Sequence, residues 1–142
     1  MRYINVLFQT IIAVFALSLA FAHTSHAKAE WTVMVFLNAD NNLEEFGLED
    51  FQEMAKVGSS DKLNIVVQFD RTPGYAKSTP DWTQTLRFRV TKDMKALPAN
   101  ALADIGEQNM GDGKTLEQFV SWAMKEYPAN HYMLDVWDHG QG

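Results

Sequence analysis

No cysteine occurs among the 142 residues. That excludes disulfides, a lipid anchor built on a lipobox cysteine, and any thiol nucleophile carried by these residues themselves. Basic residues are scarce and unclustered, with 12 Lys and Arg against 18 Asp and Glu and a formal net charge of -6. Nucleic-acid binding needs Lys and Arg concentrated in one place to neutralise phosphates, so this balance argues against it and favours cationic partners. The apolar stretch from Ile11 through Ala22, broken by Ser18, fits the roughly 7 to 15 residues of a signal-peptide core and falls short of the roughly 18 that a spanning helix needs. There is no HExxH or Cys/His metal spacing, no complete phosphate-loop pattern, no internal repeat and no low-complexity segment.

What is present begins with export. Arg2 precedes the apolar core, and small residues follow it in Ala20-Phe21-Ala22 and Ser25-His26-Ala27. Residues 1–27 are therefore expected to form a signal peptide cleaved after Ala27, with Ala22 the second choice. The alternative is an uncleaved anchor lengthened by Val6, Leu7 and Phe8, but Gln9 and Thr10 interrupt it. The mature part, residues 28–142, is expected in the periplasm or outside the cell, with no membrane attachment. Its formal charge is -7, since cleavage removes one Arg and no acid.

Three mature segments share one design: Trp31 to Leu37, Leu63 to Phe69, and Tyr132 to Trp137. Each is a short, nearly continuous run of β-branched, aromatic or other apolar residues, the pattern of a strand buried on both faces of a parallel sheet. Between the first two, helical spacing runs from Asn42 to about Lys56, with Leu43, Phe46, Phe51 and Met54 on one face and Gly58 at the stop. Before the third, Leu116, Phe119, Val120, Ala123 and Tyr127 follow helical spacing, with Thr115 and Gln118 as a capping box and Pro128 at the exit. Alternating strands and helices predict an α/β fold with a mainly parallel sheet. Trp82 to Val90 alternates apolar and polar residues and predicts a half-exposed strand, while Thr91 to Gly113 reads as loop. Three central strands are few for this class, so an open edge is expected beside Tyr132 to Trp137, as in part of a larger domain.

Each of the three runs ends at an aspartate: Asp40, Asp70 and Asp138. Parallel strands would place all three on the carboxyl edge of the sheet, where open α/β folds bind ligands. Asp is also a common cap, and Asp40 with Asn41 and Asn42 could simply start the following helix. His139 is the sharper candidate, because it follows a buried strand and is flanked by Asp138 and by Gly140, which permits close approach of backbone to a substrate. Its ring could exchange a proton with a thiol on a neighbouring strand end, and the Gly140 N–H could face an oxyanion. His23 and His26 fall in or beside the leader, and His131 falls at the opposite end of its strand.

The segments WTVMVFLNADNNLE, EMAKVGSSDKLNIVVQFDR, IGEQNMGDGKTLEQFVSWA and YPANHYMLDVWDHGQG, in this order and spacing, resemble the amino-terminal half of the clostripain family of cysteine peptidases. The resemblance implies a caspase-like α/β/α sandwich, incomplete in this chain, with His139 as the catalytic histidine and Gly140 at the oxyanion site. It further implies cleavage of peptides or proteins after Arg or Lys. The nucleophilic cysteine would lie on the next core strand, in a carboxy-terminal part or heavy chain, and the present chain alone would be inactive. No cofactor is required by the residues themselves; calcium activates some members, and no residue here matches a calcium motif.

Two other readings compete. One is an exported, non-catalytic α/β binding domain whose acidic edge takes a cationic ligand. The other is a metal-dependent hydrolase using Asp138, His139 and Asp40 or Asp70, which would be sensitive to chelators and indifferent to thiol alkylation.

Overall fold

Strand β1 (Ala29–Ala39) is the axis of the molecule, paired in parallel with β2 (Leu63–Arg71) on one side and with β5 (Ala129–Trp137) on the other. The computed structural model describes residues 28–76 and 80–140; the expected signal peptide lies outside the described residues. Antiparallel β3 (Leu86–Arg89) and the short β4 (Ala103–Asp104) extend the β2 side, giving a five-stranded sheet of order β4-β3-β2-β1-β5. This is the mixed, mostly parallel α/β architecture predicted from the strand and helix alternation. Among the described residues no helix is long and apolar enough to cross a membrane.

Alternation along β1 sends its side chains to two separate cores. Val35, Leu37 and Ala39 pack with Val67, Phe69, Leu86 and Phe88 beneath Leu48, Phe51 and Ala55 of α1 (Glu44–Val57). Met34 and Phe36 face the other way, against Val66, Met110 and Phe119 and Ala123 of α2 (Gly113–Glu126). Phe36, Leu37, Phe51, Phe69, Phe88 and Phe119 are each at most 2 % exposed, and each contributes roughly 1.5–3 kcal/mol of burial. The α1 core holds an aromatic chain in which Phe51 meets Phe88 edge-on at 5.0 Å and Phe69 meets Trp82 edge-on at 5.2 Å.

Helix α1 lies close to β1 because Gly47 faces it. A Cβ there would come within 2.9 Å of Leu37 Cδ2 and 3.0 Å of Ala39 Cβ. The expected stop at Gly58 holds, with φ +70 and the Lys92 backbone filling the space a side chain would take. Other local expectations shift. Helix α1 starts at Glu44 rather than Asn42, and Phe46 is 58 % exposed instead of joining the buried face. The cap of α2 is Asp112, whose carboxylate accepts from Lys114 N at 2.9 Å, so Thr115 and Gln118 sit inside the helix rather than forming its cap. The regular part of the predicted Trp82 to Val90 strand is Leu86–Arg89; Trp82 instead donates from Nε1 to Ala96 O at 3.0 Å. The predicted loop from Thr91 to Gly113 contains β4 and one turn of 3-10 helix, Pro98–Asn100.

Candidate active site

The register of the parallel strands carries the site. Asn38 lies opposite Asp70 across β1 and β2, and Leu37 lies opposite Trp137 across β1 and β5, so the three strands reach the carboxyl edge nearly level. What each then does depends on the turn that follows. After β5 the chain bends at Asp138, whose Oδ1 accepts from the His139 backbone N–H at 2.7 Å. The same carboxylate is gripped by β1 and the turn after it: Asn38 Nδ2 donates to Oδ2 at 2.7 Å and Asn41 Nδ2 donates to Oδ1 at 3.1 Å. Asn41 also donates to Asn38 O, and its Oδ1 accepts from Leu43 N at 2.7 Å. Asp138 thus braces the turn that presents the histidine.

The imidazole of His139 is exposed at this edge, with Nε2 3.1 Å from Asn42 Oδ1. Gly140 follows at φ +68, a left-handed backbone that L side chains rarely adopt, and among the described residues nothing beyond its chain neighbours lies within 4 Å of where a Cβ would be. A solvent-accessible imidazole is therefore held beside an open backbone segment, a pairing that can serve proton transfer next to a reacting carbonyl.

On the other side of β1, Asp40 and Asp70 come together with Glu107, one carboxylate oxygen of each lying within 4.8 Å of the others. Asn38, Gln108, Asn109, Met110 and Gly111 complete the lining of this polar cleft. Asp40 and Glu107 are exposed, whereas Asp70 is 1 % exposed and accepts from Thr85 Oγ1 at 2.6 Å. Burial pushes the Asp70 carboxyl up to about 6, the Thr85 hydrogen bond partly offsets this, and the charges of Glu107 and Asp40 raise it further. The acidic rim expected from the sequence is therefore divided. Asp40 and Asp70 form one cluster, and Asp138 belongs to the histidine turn. The cluster offers hard oxygen donors of the kind that suit calcium.

Beneath the edge lies a buried ion pair that sequence reasoning missed. Arg71, at the end of β2, donates from Nε to Glu44 Oε1 at 2.7 Å and from Nη1 to Pro80 O at 3.1 Å, and its guanidinium lies 4.6 Å from the Trp82 ring centroid. Glu44 Oε2 in turn accepts from Ala76 N at 2.6 Å. Together they tie the first turn of α1, the end of β2 and the following loop, fixing the platform on which Asp40 and Asn42 stand. Asn38, Asn41, Asn42 and Glu107 were also missed as site residues. The dense Asn38-Ala39-Asp40-Asn41-Asn42 run was the visible signal for the three asparagines, and Glu107 lies outside it. A separate, mainly apolar groove between α1 and Pro80, Lys95 and Leu97 includes neither His139 nor the carboxylate cluster.

Residues 35–142 match the sequence pattern of the Clostripain family. The chain belongs to that family. Clostripain from Hathewaya histolytica is 32 % identical over an alignment of 124 residues that covers 78 % of this chain and 23 % of that protein. Among solved structures, a B. fragilis cysteine protease superposes with a TM-score of 0.63 at 23 % identity, covering 80 % of this chain and 91 % of that one. A secreted C11 cysteine protease from Bacteroides thetaiotaomicron, in complex with an irreversible peptide inhibitor, gives 0.58 at 26 % identity, covering 80 % and 30 % respectively. The caspase-like fold class expected from the sequence agrees with these clostripain-family neighbours, and the chain spans about a quarter of the curated relative's length.

Proposed function

We propose that this chain is the histidine-bearing part of an exported cysteine endopeptidase that cleaves after Arg or Lys. The observation that carries the reading is His139, held by β1 at the carboxyl edge of the sheet in a clostripain-family chain that has no cysteine of its own. A strand ending in the nucleophilic cysteine would pair with the free edge of β5 and place its sulfur beside His139. The imidazole then favours the thiolate, which is the reactive form near neutral pH. The thiolate attacks the scissile carbonyl carbon, forming a C–S bond and an oxyanion that the Gly140 N–H can meet. His139 delivers its proton to the amine nitrogen as the C–N bond breaks, and water then releases the acyl-enzyme.

Preference for a basic residue before the scissile bond is supported by the negative edge formed by Asp40, Asp70, Glu107 and Asp138, which attracts a guanidinium or ammonium group. If this protein shares the calcium activation of some family members, Asp40, Asp70 and Glu107 are the residues that would hold the ion, and its charge would offset their mutual repulsion. Export is supported by the leader-like residues 1–27 and by a relative described as secreted.

The test is to produce this chain together with the cysteine-bearing part and assay an Arg-amide substrate. Activity should require both parts, disappear on thiol alkylation, and fall by about 10²–10⁴-fold in His139→Ala. Turnover by the chain alone, or full activity in His139→Ala, refutes the reading.

A further inference from the structure

We propose that Asn42 is a positioning residue for His139, a role that rests on the reading of His139 as the proton-transfer group. The imidazole is exposed, so packing alone does little to choose its rotation. Its Nε2 lies 3.1 Å from Asn42 Oδ1. An amide oxygen is an acceptor without a proton to give, so this contact requires the hydrogen on Nε2 and leaves the Nδ1 lone pair as the basic site. After protonation both ring nitrogens are donors and the same oxygen still accepts, so the contact persists through the catalytic cycle without adding a counter-charge.

The surroundings show that Asn42 is placed for this purpose rather than for helix capping. The cap position of α1 is Leu43, with no side-chain cap bond, and the neighbouring Asn41 side chain already satisfies Leu43 N. Among the described residues, the hydrogen bond recorded for the Asn42 side chain is the one to His139. The backbones carrying the two partners are fixed to each other independently. Asp138, one residue before the histidine, is held by Asn41, one residue before Asn42, and again by Asn38. Two adjacent cross-strand links therefore connect the β1 and β5 turns, one securing the turns and one the ring.

The experiment compares Asn42→Leu, which keeps the bulk and removes the acceptor, with Asn42→Asp, which restores an oxygen, in the protease assembled from this chain and its cysteine-bearing part. Asn42→Leu should lower kcat by about 10- to 100-fold with KM changed by less than about 2-fold, as expected for a misaligned but correctly bound site. Asn42→Asp should recover most of the lost kcat. Melting temperatures should be unchanged in both, since Asn42 caps nothing. The inference is overturned if Asn42→Leu leaves kcat within about 2-fold of the parent, or if Asn42→Asp loses as much as Asn42→Leu. A His139→Ala control separates the two readings. If it abolishes turnover while Asn42→Leu is silent, the function stands and the positioning role falls; if it retains turnover, both fall.

Discussion

On the β2 side of β1, every residue from Asn64 to Arg71 is buried, and β3 and β4 cover the outer edge. On the β5 side, Ala129 alone of the strand is fully buried, while Met133, Leu134 and Val136 are 52 %, 42 % and 60 % exposed. Both strands pair with β1 in parallel along nearly its whole length, so pairing alone does not make an interior. The difference lies in the layers. β2 has α1 on one face, α2 with Met110 on the other, and the arginines of β3 covering what the helices leave: Arg87 Nε donates to Gln68 Oε1 at 2.9 Å, and Arg89 Nε donates to Asn64 Oδ1 at 3.1 Å. β5 carries apolar side chains of core type, with half-buried Tyr132 and Trp137 the parts of it that reach the two cores. An apolar parallel edge left unpaired among the described residues is a template for another strand, which is the place the proposed function gives to the cysteine-bearing part.

The contrast can be broken by substitution. Phe69→Ala, at the heart of the closed flank, should cost about 3–5 kcal/mol in urea unfolding of the chain. If it costs no more than a change on β5, the closed flank is not the stability core. Asp70→Asn tests the same flank at its edge through pH. Folding favours the neutral acid, since burial lifts this carboxyl from 3.8 to about 6. The stabilising contribution is therefore complete below pH 3.8 and is lost as pH rises through 6, to the extent of at most about 3 kcal/mol. The amide of Asp70→Asn, neutral throughout, should raise stability by about 2 kcal/mol at about pH 7 and by almost nothing at about pH 4. An equal gain at both pH values would show that charge is not the cause. Val136→Lys, on the open flank, should change the stability of the chain by less than about 0.5 kcal/mol. It should nevertheless abolish co-purification with the cysteine-bearing part; unaltered association would remove β5 as the joining edge.

The three central strands were legible as nearly unbroken apolar runs, and all three runs coincide with observed strands to within a few residues. The burial on both faces expected of them holds for β1 and β2 and not for β5, whose outer edge and faces no further layer covers among the described residues. Helix ends were less so. Several residues near each end can serve as the cap, and only the local backbone decides whether Thr115 or Asp112 does. Phe46 was misplaced because a helical face spans enough angle to accept it, while close contact through Gly47 turns α1 so that Phe46 points away. The buried Glu44–Arg71 pair could not be read at all, since the two residues are far apart in sequence and each looks like an ordinary surface charge.

The sequence by itself determined the parallel α/β grammar, the carboxyl-edge location of Asp40, Asp70, Asp138 and His139, and the absence of a thiol, because periodicity and residue type are local properties. Only the tertiary structure decided how that edge is divided. Strand register put Asp40 and Asp70 beside Glu107 and sent Asp138 to Asn38 and Asn41. It also set Asn42 against the ring of His139, 97 positions away in the chain. Hydrogen bonds between side chains form over about 3 Å in space, and no spacing along the chain encodes which turns of a sheet will meet.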